Sequence, residues 1–413
     1  IHPKKINSKL FSHFFQNMLK KMKKEHIALC CISLAWFLIL SGRYSISNLL
    51  PKITQELNFS WTEAGIAMTS MWLFYALLQF PSGIFSDIKG RKISIILAMV
   101  VFSISYFLVG FSIHFFMFFL ALILLGAGTG GYPSVGISMI TDIFKEKRGK
   151  ALGIRSSAGS LAYIVPMIAA VIASYYDWRS FFFIWGGISL ISIFLFFKGT
   201  QESTQLPESV SVKERVVDGI SIFRKPEIQL IFVINLLIAI TWISYMSFFQ
   251  PYLIVGKEGF DGFLAGIALG ILGIGGFIFK PFIGSLSDRF EKKIIILILS
   301  VSTGLATLAL VFSNSIVIIF LICPALSLST AIFPVISSFL MDQWEDKGRA
   351  GKLGFYRSML ILLASPSSSV IGYLADKYSF DVPFIGLAII FFIAAFILLI
   401  SLALNYKKNK NLN

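Results

Sequence analysis

Long apolar stretches alternate with short polar ones along almost the whole chain. Six lie near 27–50, 62–86, 93–112, 115–141, 151–175 and 180–197, and six more near 228–255, 262–287, 294–312, 315–341, 353–375 and 384–404. About 20 apolar residues in a helix cross the hydrocarbon core of a bilayer, and each stretch is close to that length. Only a helix satisfies its own backbone groups in lipid within one segment. The pattern predicts an all-α membrane protein of twelve transmembrane helices. One long polar connection, 198–227, carries Val212, Val216, Val217 and Ile220 at helical spacing, which predicts a short helix on the membrane surface.

Composition narrows this picture. Of 413 residues, 56% are hydrophobic and 14% charged, with 42 Phe, and the mean hydropathy is +0.81; no large soluble domain fits beside twelve spans. The first stretch is too long for a signal-peptide core and lacks a small-residue cleavage pattern, so it reads as a retained helix. Cys30, Cys31 and Cys323 all lie within apolar stretches and offer neither a disulfide framework nor a spaced metal site.

The two sets of six stretches repeat each other at an offset of 201 residues. Gly83 pairs with Gly284, Asp87 with Asp288, Pro133 with Pro334, Arg148 with Arg349, and Gly153 with Gly354. Two parallel six-helix halves related by an axis along the membrane normal are one standard plan of secondary transporters. The expected organisation is a basic tail (1–26), an N-terminal bundle (27–197), the central loop (198–227), a C-terminal bundle (228–404) and a short tail (405–413).

The formal net charge of +15 raises nucleic acid as a partner, but its distribution argues otherwise. The two tails and the loops on their side hold 28 Lys and Arg, whereas the opposite loops hold only Lys52, Arg179, Lys257 and Lys377. Short basic loops stay in the cytoplasm, so both termini and the central loop are expected there, in a plasma or bacterial inner membrane. The charge is topological. Lys4, Lys5, Lys9, Lys20, Lys21, Lys23 and Lys24 alternate with apolar residues in the first tail, a pattern that suits an anionic membrane surface. Met18 and Met22 are alternative natural starts that would make this tail an artefact.

Four charged residues lie deep in the spans, all basic: Arg43, Arg155, Lys280 and Arg357. A charge at bilayer depth costs on the order of 2.5 to 3.5 kcal/mol on insertion scales, so each needs a function or a partner. Arg43 and Lys280 lie nearest the middle of their helices, and the stems of Arg155 and Arg357 allow them to snorkel outward. No acidic residue or histidine is equally deep, which leaves an anionic substrate as the neutralising partner. Arg43 and Lys280, assisted by Arg357, are the expected anion ligands, with Trp36, Tyr44 and, in the second half, Asn235 and Tyr245 as further substrate-binding residues. Tyr44 adjoins Arg43, and Tyr245 stands 201 residues beyond it. Ser47, Asn48, Tyr132, Trp242 and Gln250 complete the expected lining. Missing deep acids and histidines also remove the usual carriers of a coupling proton, favouring exchange or uniport.

Glycines cluster at Gly126, Gly128, Gly130 and Gly131, and at Gly266, Gly270, Gly273, Gly275 and Gly276, positions suited to close helix packing. No phosphate-binding P-loop exists, so nothing points to nucleotide hydrolysis. Pro133, Pro251, Pro281 and Pro334 are candidate kinks.

After the second stretch come Gly83, Asp87, Gly90, Arg91 and Lys92, echoed by Gly284, Asp288, Arg289, Lys292 and Lys293 with Glu291 in place of the second glycine. This loop resembles the signature of the major facilitator superfamily. Gly126, Gly128, Gly130, Pro133, Arg148, Gly149, Lys150, Gly153, Trp178 and Arg179 are similar to that family too. The resemblance covers the chain from about residue 27. It implies two pseudo-symmetric six-helix bundles working by alternating access, and a charge latch at the cytoplasmic ends of the halves formed by Asp87, Arg91, Arg148, Asp288 and Arg349. Basic residues in helices 1, 8 or 11 also mark anion sites in several of its branches, including organophosphate and oxalate carriers. Two departures, Leu122 where many proton-coupled members carry a buried Arg and Val165-Pro166 where drug/proton antiporters carry Gly-Pro, count against proton-driven drug export.

The expected protein is a secondary active or facilitative carrier of a small organic anion, a carboxylate or phosphate ester, acting as a monomer by exchange or uniport, without metal or cofactor. Its main rival is a proton-coupled exporter of drugs or other apolar compounds. A transporter-like solute sensor is a further alternative, and an enzyme is not expected, since no catalytic constellation lies at depth.

Overall fold

The computed structural model describes residues 24–202, 212–344 and 349–410, and side chains throughout these except 212–216, 349–350 and 405–410. The readings of the tail before residue 24, including Met18 and Met22, fall outside the described residues. Among the described residues twelve long helical segments follow one another: α1 (Lys24–Glu56), α2 (Trp61–Lys89), α3 (Arg91–Gly110), α4 (Phe115–Ile143), α5 (Arg148–Tyr175), α6 (Trp178–Gly199), α7 (Pro226–Gly256), α8 (Gly262–Ser287), α9 (Lys292–Phe312), α10 (Ile316–Asp342), α11 (Arg349–Ala364 with Ser367–Lys377) and α12 (Asp381–Lys410). Among the described residues there is no strand. All but α2 are apolar enough by composition to span a bilayer, and α2 runs 29 residues between them with Glu63, Asp87 and Lys89 at its ends. The helix expected in the central loop is present, Val212–Ser221. The side chains of Val212 and Val216 lie outside the described residues, while Val217 and Ile220 are exposed.

Sequence chemistry sets the ends. Ser60 and Glu63 cap α2 reciprocally, satisfying amides that the helix itself cannot; Asp177 caps α6 and Asp261 caps α8. Gly90 stands at φ 102° between α2 and α3, in a region of backbone space that L side chains rarely adopt. That explains the glycine of the first loop. Glu291, its counterpart, sits at φ −58°, because the chain has the longer bend 288–291 in which to turn.

Pro133 begins the second piece of α4 after a break at Gly131 and Tyr132, where its missing N–H costs nothing. By contrast Pro251, Pro281 and Pro334 lie inside helical segments that continue past them. A single 3-10 turn, Ala162–Ile164, divides α5 before Pro166. Helices α1 and α7 are the most buried and α12 the least, so the first helix of each half lies innermost. Short connections alternate the helices, which places the described ends of α1 and α12 on one side, here the terminus-bearing end. The halves meet along two seams, α2 against α11 and α5 against α8, with α1 against α7 between them.

Candidate functional site

Between the halves lies a cavity of about 610 Å³, within the range that holds drug-sized molecules. All four deep cations line it, and among the described residues no Asp or Glu does. They are held in two ways. Arg43, only 4% exposed, lays its guanidinium 4.3 Å from the ring centre of Trp72 and 5.0 Å from that of Tyr75, both on α2. Arg155 on α5, 6% exposed, stacks 4.2 Å from Trp36 of α1 and 5.5 Å from Tyr132 beside the α4 break. A desolvated cation over an aromatic face gains about 2 kcal/mol, which repays part of the burial cost without a carboxylate. Two donors of each stay unmet: Nε and Nη1 of Arg43, and Nε and Nη2 of Arg155, have no hydrogen-bond partner among the described residues. Each such buried donor is penalised by about 1 to 3 kcal/mol.

The second half contributes its cations differently. Lys280 of α8 lines the opposite wall with no ion-pair partner among the described residues, and Arg357 of α11 donates through Nη2 to Ser337 Oγ at 3.2 Å. Neither is stacked on an aromatic ring among the described residues. Gln79, which also lines the cavity with its Oε1 unpartnered, stands 201 residues before Lys280, so one site of the repeat is an amide in one half and a cation in the other. Tyr44, Tyr75, Tyr163, Trp242, Phe277 and Phe333 supply apolar surface; the rings of Tyr44 and Tyr163 lie 4.5 Å apart.

The far end is closed by backbone-close packing. Asp376 of α11 accepts from the amides of Trp61 and Thr62 at 3.0 and 2.7 Å, and a Cβ on Gly65 would come within 2.5 Å of the Ser368 carbonyl. Thr69 meets Ser365 and Ser369. At the floor of the cavity Trp72 Nε1 donates to Ser247 Oγ at 3.0 Å, and Ser247 bonds Ser368 at 2.9 Å. Toward the terminus-bearing end, Gly153, Ser156, Pro281 and Arg357 are both exposed and part of the lining. The cavity therefore opens on that side.

Charges at the open end pair within each half. Arg91 donates to Asp87 and, at 3.3 Å, to Asp142. Lys292, 201 residues after Arg91, pairs with Asp342. Arg148 and Asp288 make no ion pair among the described residues, and the Arg349 side chain lies outside them.

Of the residues expected to bind substrate, Trp36, Arg43, Tyr44, Lys280 and Arg357 line the cavity, and Tyr245 and Asn235 do not. The Tyr245 hydroxyl bonds Thr307 Oγ1 at 2.8 Å, with its ring against Phe249 and Phe384 inside the second half. Asn235 donates to Tyr356 OH at 3.1 Å. Ser47 and Asn48 face the C-terminal half, bonding the carbonyls of Ser247 and Gly262. Trp72, Tyr75, Gln79 and Tyr163 were missed. The first three share one face of α2 at spacings of three and four, a pattern that was available in the sequence.

Twelve membrane helices, two repeated halves and a central cavity open at one end define a membrane carrier of the secondary-transporter class. The profile of the Major Facilitator Superfamily matches residues 32–331 and again 231–413, and the chain belongs to that family. Multidrug resistance protein MdtG of Salmonella arizonae is 27% identical over 263 residues, covering 61% of this chain and 65% of that protein. MdtG of Citrobacter koseri is 27% identical over 284 residues, with 66% and 70% covered. The chain thus spans 65% and 70% of these relatives' lengths. A bacterial homolog of the human lysosomal transporter Spinster, inward-facing and unoccupied, superposes with a TM-score of 0.76 at 15% identity over 92% of this chain and 97% of its own. The nucleoside transporter NupG does so at 0.77 and 14%, over 92% and 98%. These structures share the fold.

Proposed function

We propose that the protein exports amphipathic compounds that combine an aromatic body with an acidic group. The observation that carries this reading is the cavity lining: among the described residues, four cations, no carboxylate, and a surround of Trp, Tyr and Phe. Four like charges in a partly dry cavity concentrate anions and repel cationic drugs. The name of the MdtG relatives supports export and a broad choice of substrate, which favours the rival reading of the sequence over carriage of a small organic anion. The acidic group retains what the deep cations imply. The Lys and Arg bias supports a cytoplasmic terminus-bearing end, so the cavity takes its substrate from the cytoplasm.

This reading needs no protonatable acid in the site. An anion leaving a negative-inside cell gains about 2.3 kcal/mol per elementary charge per 100 mV, so the membrane potential drives uniport outward. The charges Asp87, Arg91, Arg148, Asp288 and Arg349 then act as the latch of the opposite state, when the terminus-bearing ends approach. Proteoliposomes with an imposed potential and no pH gradient test the proposal: potential-driven movement of aromatic carboxylates, lost in Lys280→Gln, is expected. Transport of cationic compounds alone, driven only by a pH gradient, would overturn it; thermal stabilisation by small carboxylates or phosphate esters and by no aromatic acid would restore the small-anion reading.

A further inference from the structure

Two of the cations differ from the rest in being nine-tenths buried and stacked while two of their donor nitrogens stay unmet among the described residues. A guanidinium held flat against a ring has lost its freedom to turn, so its unmet N–H groups point in fixed directions and suit an anionic oxygen. Arg43 and Arg155 both line the cavity with two donor nitrogens unmet. They do so at different depths. Arg155 stacks on Trp36, and Trp36 precedes Arg43 by seven residues on α1, two turns along one face or roughly 10 Å. Between them the wall is Leu40, Tyr44 and Tyr163, an apolar and aromatic strip.

We infer that the cavity holds two separate anion subsites, an outer one at Arg155 and an inner one at Arg43, that together select elongated aromatic ligands with acidic groups at both ends. The inference rests on the cavity being the ligand site, as proposed above, and adds a length and a second acidic group to the substrate class. Arg155, whose stem permits snorkelling, is on this reading a ligand-binding residue. Lys280 and Arg357, unstacked on the facing wall, contribute attraction without selecting length. A ligand with one acidic group can occupy either subsite, which suits a site of broad specificity; one with two gains from both.

Calorimetric titration of the purified protein in nanodiscs, against empty nanodiscs, tests this with two rigid probes. One is biphenyl carrying a carboxylate at both para positions, spaced about as far apart as two helical turns; the other carries a single carboxylate. The dicarboxylate is expected to bind about tenfold tighter or more, as the second contact becomes intramolecular. Arg43→Gln and Arg155→Gln are each expected to reduce it to the affinity of the monocarboxylate, while Lys280→Gln weakens both probes alike. Arg43→Lys and Arg155→Lys, which keep charge but lose the planar fork, serve where a glutamine variant fails to fold, and are expected to erase the same preference. Equal affinity for the two probes, or a preference that survives either arginine substitution, would overturn the two subsites. Export of aromatic acids without the dicarboxylate preference would leave the proposed function standing and remove only this inference; the preference without transport would do the reverse.

Discussion

The two seams between the halves are built from pseudo-equivalent helices and yet differ. Along α2 and α11 the contact is continuous: Gly65 against Ser368 and Thr69 against Ser365 at the far end, then the rings of Phe80 and Phe355 at 5.7 Å toward the terminus-bearing end. Along α5 and α8 contact is equally close at first, with a Cβ on Gly266 or Gly273 placed 2.6 Å from Met167 or 2.5 Å from Tyr163. Beyond that the helices part, and Ser156 and Lys280 face the cavity. The repeat maps α2 onto α8 and α5 onto α11, so backbone symmetry does not explain the difference. Side chains do. The terminus-bearing half of α5 carries Gly149, Gly153, Ser156, Ser157 and Ser160, too small to reach across, where the other seam has two phenylalanines. Closing that gap is the motion alternating access requires.

Substitutions can break this contrast. The largest effect is expected of Gly372→Leu, whose new Cβ would run into the backbone carbonyl of Trp61. Backbone cannot yield as a side chain can, so a loss of about 3 kcal/mol, the upper end for overpacking, should appear in thermal unfolding together with loss of transport. Asp376→Ala removes acceptors from Trp61 N, Thr62 N and Thr62 Oγ1 and is expected to cost about 1 to 2 kcal/mol, as for a lost helix cap. Trp72→Phe keeps an aromatic face beneath Arg43 but gives up the bond to Ser247; about 1 kcal/mol should shift the balance toward the far-side-open state, read as faster labelling of a cysteine at the far end. Smallest is Gly153→Ala, since no atom of the described residues lies within 4 Å of its added Cβ. Its stability should change by less than about 0.5 kcal/mol, and Gly153→Leu should leave unfolding similarly unaffected while slowing transport, because this surface packs only when the seam closes.

Helices, repeat and deep cations were legible because each follows from one residue's own preference for water or lipid. The lining was legible only in part, because it depends on how helices rotate against one another. Tyr44 and Tyr245 occupy the same place in the repeat, yet one lies beside Tyr163 in the cavity wall and the other turns to Thr307 away from the cavity. The Arg155 cage draws Trp36 from α1 and Tyr132 from the α4 break, a meeting of three helices that no spacing along one of them reveals. The pair Lys292 and Asp342 echoes Arg91 and Asp142, with the acid shifted by one residue, so a strict offset overlooks it.

The far end, sealed in this structure, is expected to open when substrate is carried. Tyr176 and Tyr378, in the far-end loops after α5 and α11, are 82% and 60% exposed and suit spin labels through Tyr176→Cys and Tyr378→Cys in a background without Cys30, Cys31 and Cys323. Distances between the labels would be measured in lipid with and without the biphenyl dicarboxylate. One short population without the probe, and a second, longer one in its presence, is the expected result. A single distance unchanged by the probe would contradict it.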